Sequence, residues 1–350
     1  MSIPPSQINK PETVVLKNQI FPKVYARRFN DAIINHKSDA VINNNSIIIP
    51  DYYFENLDRF AVNGGNLKSS HKNIGQVDIR YSNEYEKGIG LIGLGSFNWY
   101  HWLIEILPRA FMANMLPEKY IKHPFIVPPE CNQYSSFRDS LAVFIGDREI
   151  ISLEQEKQYL IKDYILIDSV VHGPFNMRAG YWPEASDYKQ NNMVLNAFRE
   201  KILESFSIKQ ENLSGRYFLA RGNTRRNYNQ TSIENIAIKF GLSVVYPEKL
   251  TFFEQVKLFH NAELIVGPSG AAWANSIFCQ NGALGLTWIL NEYKNFCCYT
   301  NLAALSGLNI NYIFTKSNQT IKNTGQAYNA SYELDEHHFE QALENIIKML

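Results

Sequence analysis

Between residues 216 and 315 short apolar runs alternate with helix-forming segments. "RYFLARG" leads to "TSIENIAIKFG", "LSVVYP" to "TFFEQVKLFHNA", "ELIVG" to "AAWANSIF" and "GALGLTWIL" to "FCCYTNLAALSG"; "NINYIF" closes the series. Each apolar run has strand length, and each intervening segment is long enough for a crossover helix. That rhythm admits one main solution, a parallel sheet with helices packed on its faces.

Residues 90–172 repeat the rhythm more loosely, with "WYHWLIEIL" and "SSFRDSLAVFIG" as helices and "HPFIVPP" and "KQYLIKDYILIDSV" as strands. Residues 1–90 read as strands such as "VVLKNQIF", "KVYARRF", "NSIIIP" and "VDIRY" separated by polar turns. The punctuated stretch "HGPFNMRAGYWPEASDYKQ" marks a boundary. The reading is therefore two α/β domains, 1–175 and 176–330. A C-terminal helix, 331–350, is capped near Asp335 and packs back on the first domain. A chain of 350 residues with 45% hydrophobic and 13% aromatic content supplies enough material for two cores. Ligands in open α/β sheets sit beyond the carboxyl ends of strands, so a cleft between the domains is the expected site.

Charge and cysteine usage exclude several classes. The 34 basic and 34 acidic residues cancel, so no nucleic-acid partner is expected. Cys131, Cys279, Cys297 and Cys298 form no CxxC pair, which argues against structural zinc and fits a reducing compartment; the adjacent Cys297 and Cys298 read as core or strand residues. The N-terminus lacks a basic region followed by a long apolar run, so no signal peptide is expected. The most apolar stretch, "FNWYHWLIEILPRAFMANML", carries His101, Glu105, Pro108 and Arg109, and so does not read as a membrane span.

Several constellations can carry chemistry. In "ELIVGPSGAAWANSIF", Gly267 and Gly270 permit a tight turn and keep Cβ atoms away from a ligand, Ser269 offers a hydroxyl, and Ala271 opens a helix. Two readings stand, a phosphate seat or a tight turn packed against a neighbour. In "FLARGNTRRNYN", Arg221, Arg225 and Arg226 follow a strand end with forked donors matched to phosphate oxygens, and Asn229 either caps the next helix or contacts ligand. In "NWYHWLIEILPR", His101 and Glu105 share a helix face, a proton-accepting pair or a histidine satisfied by its neighbour. Arg109 extends that face beyond a kink at Pro108, and Trp99, Tyr100 and Trp102 offer rings to a sugar or base. His172 ends a strand and either lines the cleft or is an ordinary loop residue. Glu248 precedes a helix and is open between ligand binding and capping, whereas Glu254 forms a capping box with Thr251.

Taken together, "FNWYHWLIEILPR" (97–109), "YFLARGNTRRNYN" (217–229) and "VVYPEKLTFFEQVKLFHNAELIVGPSGAAWANSIF" (244–278) resemble the family 61 glycosyltransferases. That group includes capsule-biosynthesis enzymes, the EGF-domain and mannose-directed N-acetylglucosaminyltransferases, and plant xylosyl- and arabinosyltransferases. The resemblance implies a GT-B-like α/β fold, two Rossmann-like domains facing across a cleft. It places His101 and Glu105 on the N-terminal wall as catalytic candidates. It places Arg221, Arg226, Glu248, Gly267, Ser269, Gly270 and Asn275 on the donor side, and Arg225, Asn229 and Ala271, beside them in the same segments, complete the donor-binding candidates. The chain departs from the family pattern "GxHGAGLxN": Ser269 stands at the histidine, Ala272 at a glycine and Trp273 at the leucine. In the next strand Thr287 or Trp288 stands near an expected glutamate.

The implied activity is inverting transfer from a nucleotide sugar, a UDP-sugar first, to a glycan hydroxyl in capsular or other surface polysaccharide biosynthesis. It needs no metal and no further cofactor. The expected setting is cytoplasmic, at the inner face of the membrane, with peripheral association with a polysaccharide assembly complex and no transmembrane segment. The rival is a catalytically inactive GT-B-fold binding or scaffold protein, favoured by the departures at Ser269 and Thr287. A Rossmann oxidoreductase lacks its GxGxxG.

Overall fold

The computed structural model describes residues 1–8, 20–38, 40–49, 59, 64–65, 67–71, 74–174, 177–222 and 226–350. Most of the expected strand "VVLKNQIF" lies outside them. The chain divides into two compact units, Ile20–Arg178 with Gln190–Phe198, and Met1–Gln19 with Ala179–Lys189 and Arg199–Leu350.

The first unit is built on a seven-stranded mixed sheet. Its strands β1 (Ala26–Asn35), β2 (Val41–Asn43), β3 (Ser46–Ile48), β6 (Tyr81–Gly90), β7 (Phe125–Val127), β8 (Ile150–Ser152) and β9 (Gln158–Ile167) lie in the order β3-β2-β1-β9-β6-β7-β8. A separate hairpin joins β4 (Leu67–His71) to β5 (Ile74–Val77), and β10 (Val171–His172) is a two-residue strand. β9, β6, β7 and β8 are parallel, whereas β1 runs antiparallel to β9, so the sheet is mixed rather than wholly parallel. Ile161, Tyr164 and Leu166 of β9 pack with Ala32, Ile34, Ile92 and Ile126 in one core. This burial explains the continuous apolar run of the central strand.

After β6 the expected single helix is three pieces: α1 (Trp99–His101), a π-helical turn (Trp102–Ile106) and α2 (Leu107–Ala113). Pro108 has no N–H to give the carbonyl four residues back, and the Leu107 amide reaches five residues back to Trp102. The proline thus restarts the helix in its own first turn after a widened one. α3 (Glu130–Gln133) and α4 (Ser135–Ala142) follow β7, and α5 (Asn192–Ser205) follows the two-residue strand β11 (Lys189–Gln190).

The second unit carries the alternation that dominates the sequence. β12 (Arg216–Leu219), β13 (Ser243–Val245), β14 (Leu264–Pro268), β15 (Leu284–Leu290) and β16 (Asn309–Thr315) form a sheet in the order β13-β12-β14-β15-β16, with every pairing parallel. The connections hold α6 (Gln230–Lys239), α7 (Phe252–Asn261), a 3-10 helix (Ala271–Phe278) and α8 (Cys298–Ser306); α9 (Thr324–Asn329) and α10 (Glu336–Ile347) follow. Phe339, Leu343 and Ile346 of α10 share a core with Ile233 and Ala237 of α6 and with Phe218, Leu286 and Trp288 of the sheet.

Local signals behave as capping chemistry requires. Thr251 and Glu254 form a reciprocal capping box at the start of α7, and Asp335 accepts the His338 amide at 2.7 Å at the start of α10. Cys297 and Cys298 are buried in the core where α8 begins, not in a strand. No helix of the described residues is long and apolar enough to cross a membrane.

Candidate functional site

Two clusters of candidate side chains emerge. The first lies where β14 ends. Gly267 stands against β12: a Cβ there would come within 2.7 Å of Leu219 Cβ and 2.9 Å of its carbonyl oxygen. The missing side chain therefore makes room for a neighbouring strand, not for a ligand. Gly270 is different. It is extended, and a Cβ would meet Arg221 Nη2 at 3.2 Å, so this glycine leaves space for a guanidinium.

Arg221 and Arg226 both donate from Nη2 to the main-chain carbonyl of Ser269, Arg226 at 3.0 Å. The contribution of Ser269 to these contacts is its carbonyl rather than the hydroxyl expected from sequence. Arg221 Nη1 is buried and makes no hydrogen bond. Burial, with the adjacent charge of Arg226, holds the Arg221 guanidinium below its usual range. The other groups acting on it are the phenols of Tyr332, Tyr228 and Tyr299, none of them a carboxylate. The guanidinium of Arg226 lies 5.1 Å above the Tyr328 ring. Arg225 lies outside the described residues.

The described residues on either side of the arginine loop are held by several contacts. The Gln230 side chain accepts from the Arg221 amide at 3.2 Å and donates to its carbonyl at 2.9 Å. Glu248 accepts the Gly222 amide at 2.9 Å, so this carboxylate touches the cluster through the backbone of the loop. Asn229 starts α6 without a side-chain cap. Its amide donates to the Leu334 carbonyl at 3.0 Å and accepts the Leu334 amide at 2.9 Å. Asn275 is wholly buried in the 3-10 helix opened by Ala271 and donates to Gln255 of α7 at 2.9 Å. Both asparagines, expected at the ligand, thus spend amide groups on holding segments of the protein together.

The positions at which the sequence departs from the family pattern are packed into the interior. Trp273 is fully buried and donates to the Pro268 carbonyl at 3.1 Å, which pins the end of β14. Trp288 donates to the Tyr332 hydroxyl at 2.9 Å. Thr287 is fully buried, and its hydroxyl has no hydrogen-bond partner.

The second cluster follows β6. His101 Nδ1 lies 2.8 Å from Glu105 Oε2, one residue at the end of α1 and the other in the π-helical turn. The second carboxylate oxygen, Oε1, is buried without a hydrogen-bond partner. Gly95, at φ +84, presses on the imidazole: a Cβ would fall 2.6 Å from His101 Cδ2. Arg109 follows in α2. It is buried and donates to the Ile92 carbonyl at 3.0 Å, which secures the loop carrying Gly95.

The aromatic residues beside His101 serve packing. Trp102 is fully buried, stacks on Phe137 at 5.2 Å and donates to Ser140 Oγ at 2.9 Å. Trp99 meets the same Phe137 edge-on at 5.4 Å, and Tyr100 is buried. They are spaced to fill the interior beneath α4, which corrects the expectation of a sugar platform for Trp102 and Tyr100. His172, in β10, is buried and stacks on Phe21 at 4.9 Å.

Three residues went unread in the sequence. Gly95 sits in "GLGS", a small-residue turn between strand and helix. Glu130 opens α3 at the carboxyl end of β7, the neighbour of β6, and its Oε2 is buried without a partner; the signal was the carboxylate after "FIVPP". Tyr328 carried no local signal. Among the described residues no group of three or more His, Cys, Asp or Glu is placed to hold a metal ion.

Residues 99–286, more than half of the chain, match the family model described as Glycosyltransferase 61. The match covers His101, Glu105, Arg221, Arg226 and Ser269 and stops before Thr287 and Tyr328. No curated protein matches the chain.

Proposed function

The chain belongs to the glycosyltransferase 61 family, and from that membership we propose that it transfers a sugar, with inversion, from a nucleotide sugar to a glycan hydroxyl. A UDP-sugar is the first candidate donor, and surface polysaccharide assembly on the cytoplasmic side of a membrane is the setting. The observation that carries the reading is the convergence of Arg221 and Arg226 on one carbonyl, with no carboxylate among the groups acting on Arg221. Two adjacent guanidinium groups that converge on one carbonyl offer forked donors suited to a diphosphate.

In this mechanism the acceptor oxygen forms a bond to the anomeric carbon as the bond from that carbon to the diphosphate oxygen breaks. The acceptor proton passes to the His101–Glu105 pair. A carboxylate on Nδ1 favours the tautomer whose lone pair is on Nε2, so His101 is the base and Glu105 holds it in register. Arg221 and Arg226 offset the charge that grows on the leaving nucleoside diphosphate, and the reaction requires no metal.

A second reading, a binding protein that keeps the fold without catalysis, is favoured by Ser269 and by Thr287, whose buried hydroxyl offers no carboxylate. One experiment separates them: binding and slow donor hydrolysis measured against UDP-, GDP-, CMP- and TDP-sugars. Binding with turnover supports the transferase, binding without turnover or transfer supports the second reading, and binding of no donor defeats the first.

A further inference from the structure

We infer that Tyr328 is a positioning residue for the Arg226 guanidinium, and that the strap from Tyr328 to Leu334 completes the arginine cluster. The inference deepens the diphosphate reading of that cluster and rests on it for its ligand.

An arginine side chain has large rotamer freedom, and Arg226 must be held beside the like charge of Arg221. The face of a tyrosine ring attracts a guanidinium and so restricts where it sits. Tyr328 has that geometry, with the Arg226 guanidinium carbon 5.1 Å from the ring centroid. The buried phenols of Tyr293 and Tyr299 border the same two residues, and Glu292 also acts on Tyr293.

The strap is laced to the arginine loop along its length. The Asn227 amide donates to Ser331 Oγ at 3.3 Å, and the Tyr332 amide donates to the Asn227 carbonyl at 3.2 Å. Tyr228 stacks on Tyr332 at 5.7 Å with the rings 14° from parallel. Asn229 closes a two-bond clasp with Leu334. Residues 226–229 are thereby held by a segment about a hundred positions later in the chain, beyond the span matched by the family model. Arg226 is placed by this segment as well as by its own loop.

The test uses the full chain, with UDP as the probe in calorimetry. Tyr328→Leu should weaken UDP binding about three- to thirty-fold, the range of a cation–π contact between exposed and desolvated limits. Tyr328→Phe, which keeps the ring, should restore affinity to within about two-fold of the native chain, and in an Arg226→Ala background Tyr328→Leu should change nothing further. A second readout needs no ligand: the rate at which phenylglyoxal modifies Arg226, followed by peptide mapping. It should rise in Tyr328→Leu and not in Tyr328→Phe. Equal modification rates in Tyr328→Leu and the native chain overturn the positioning role, whatever the affinities. If the native chain binds no UDP, the diphosphate reading falls, and the modification rates alone decide the role of Tyr328.

Discussion

His101 Nδ1 and Glu105 Oε2 lie 2.8 Å apart across a helical turn that the following Pro108 forces into π geometry. The pair therefore depends on the proline as well as on its own four-residue spacing. Glu105→Gln should lower the transfer rate about a hundred-fold or more, since general-base assistance contributes on that scale, while leaving UDP affinity unchanged. Steady-state kinetics beside calorimetry checks this. Full transfer rates in the variant would remove Glu105 from the mechanism.

Gly95 supports the same imidazole from the other side. Gly95→Ala should combine the cost of a left-handed backbone, about 1–2 kcal/mol, with displacement of the His101 ring. Gly146→Ala is the control: its φ is +55, and a Cβ there meets nothing within 4 Å, so it carries the backbone cost alone. Urea denaturation should show the larger loss for Gly95→Ala, and the excess should shrink in a His101→Ala background, where the ring is absent.

His36 is buried beside β1, with both ring nitrogens lacking hydrogen-bond partners. Burial, assisted by Lys37 and opposed by Glu156, pushes its pKa down to about 4. The folded chain therefore binds this proton less readily than the unfolded chain. The neutral form's contribution is complete above the unfolded value near 6.5 and is lost as pH falls from there toward 4, by up to about 3 kcal/mol. Urea midpoints at pH 7 and pH 5 should diverge in the native chain and diverge less in His36→Gln.

Thr287 offers a test on the packing side. Its hydroxyl is buried and unpaired, so Thr287→Val should leave stability unchanged or raise it by about 1 kcal/mol. Thr287→Glu, which places a carboxylate at the same depth, should cost several kcal/mol. Thermal unfolding of the two variants reads the difference.

The parallel sheet, its strand order in sequence, and the caps at Thr251, Glu254 and Asp335 were legible because each depends on residues a few positions apart. Apolar periodicity and capping act within a turn or a strand, and that is the range over which sequence spacing reports geometry. The gathering of arginines after β12 was legible for the same reason, as was the His101–Glu105 spacing.

What those groups meet was decided by the tertiary structure. Sequence shows a serine hydroxyl in "GPSG", but the fold brings the Ser269 carbonyl to Arg221 and Arg226. Asn229 and Asn275 look like ligand contacts, yet one clasps Leu334 and the other Gln255. Tyr328 has no neighbour in sequence that explains it, and it reaches Arg226 only because the strap folds back over the arginine loop. Hydrogen-bonding capacity is set by residue type, whereas the partner that uses it is set by which distant segments the core brings together. The sequence alone determined an alternating α/β chain with a basic loop and a histidine–glutamate pair; long-range packing chose the contacts that those residues make.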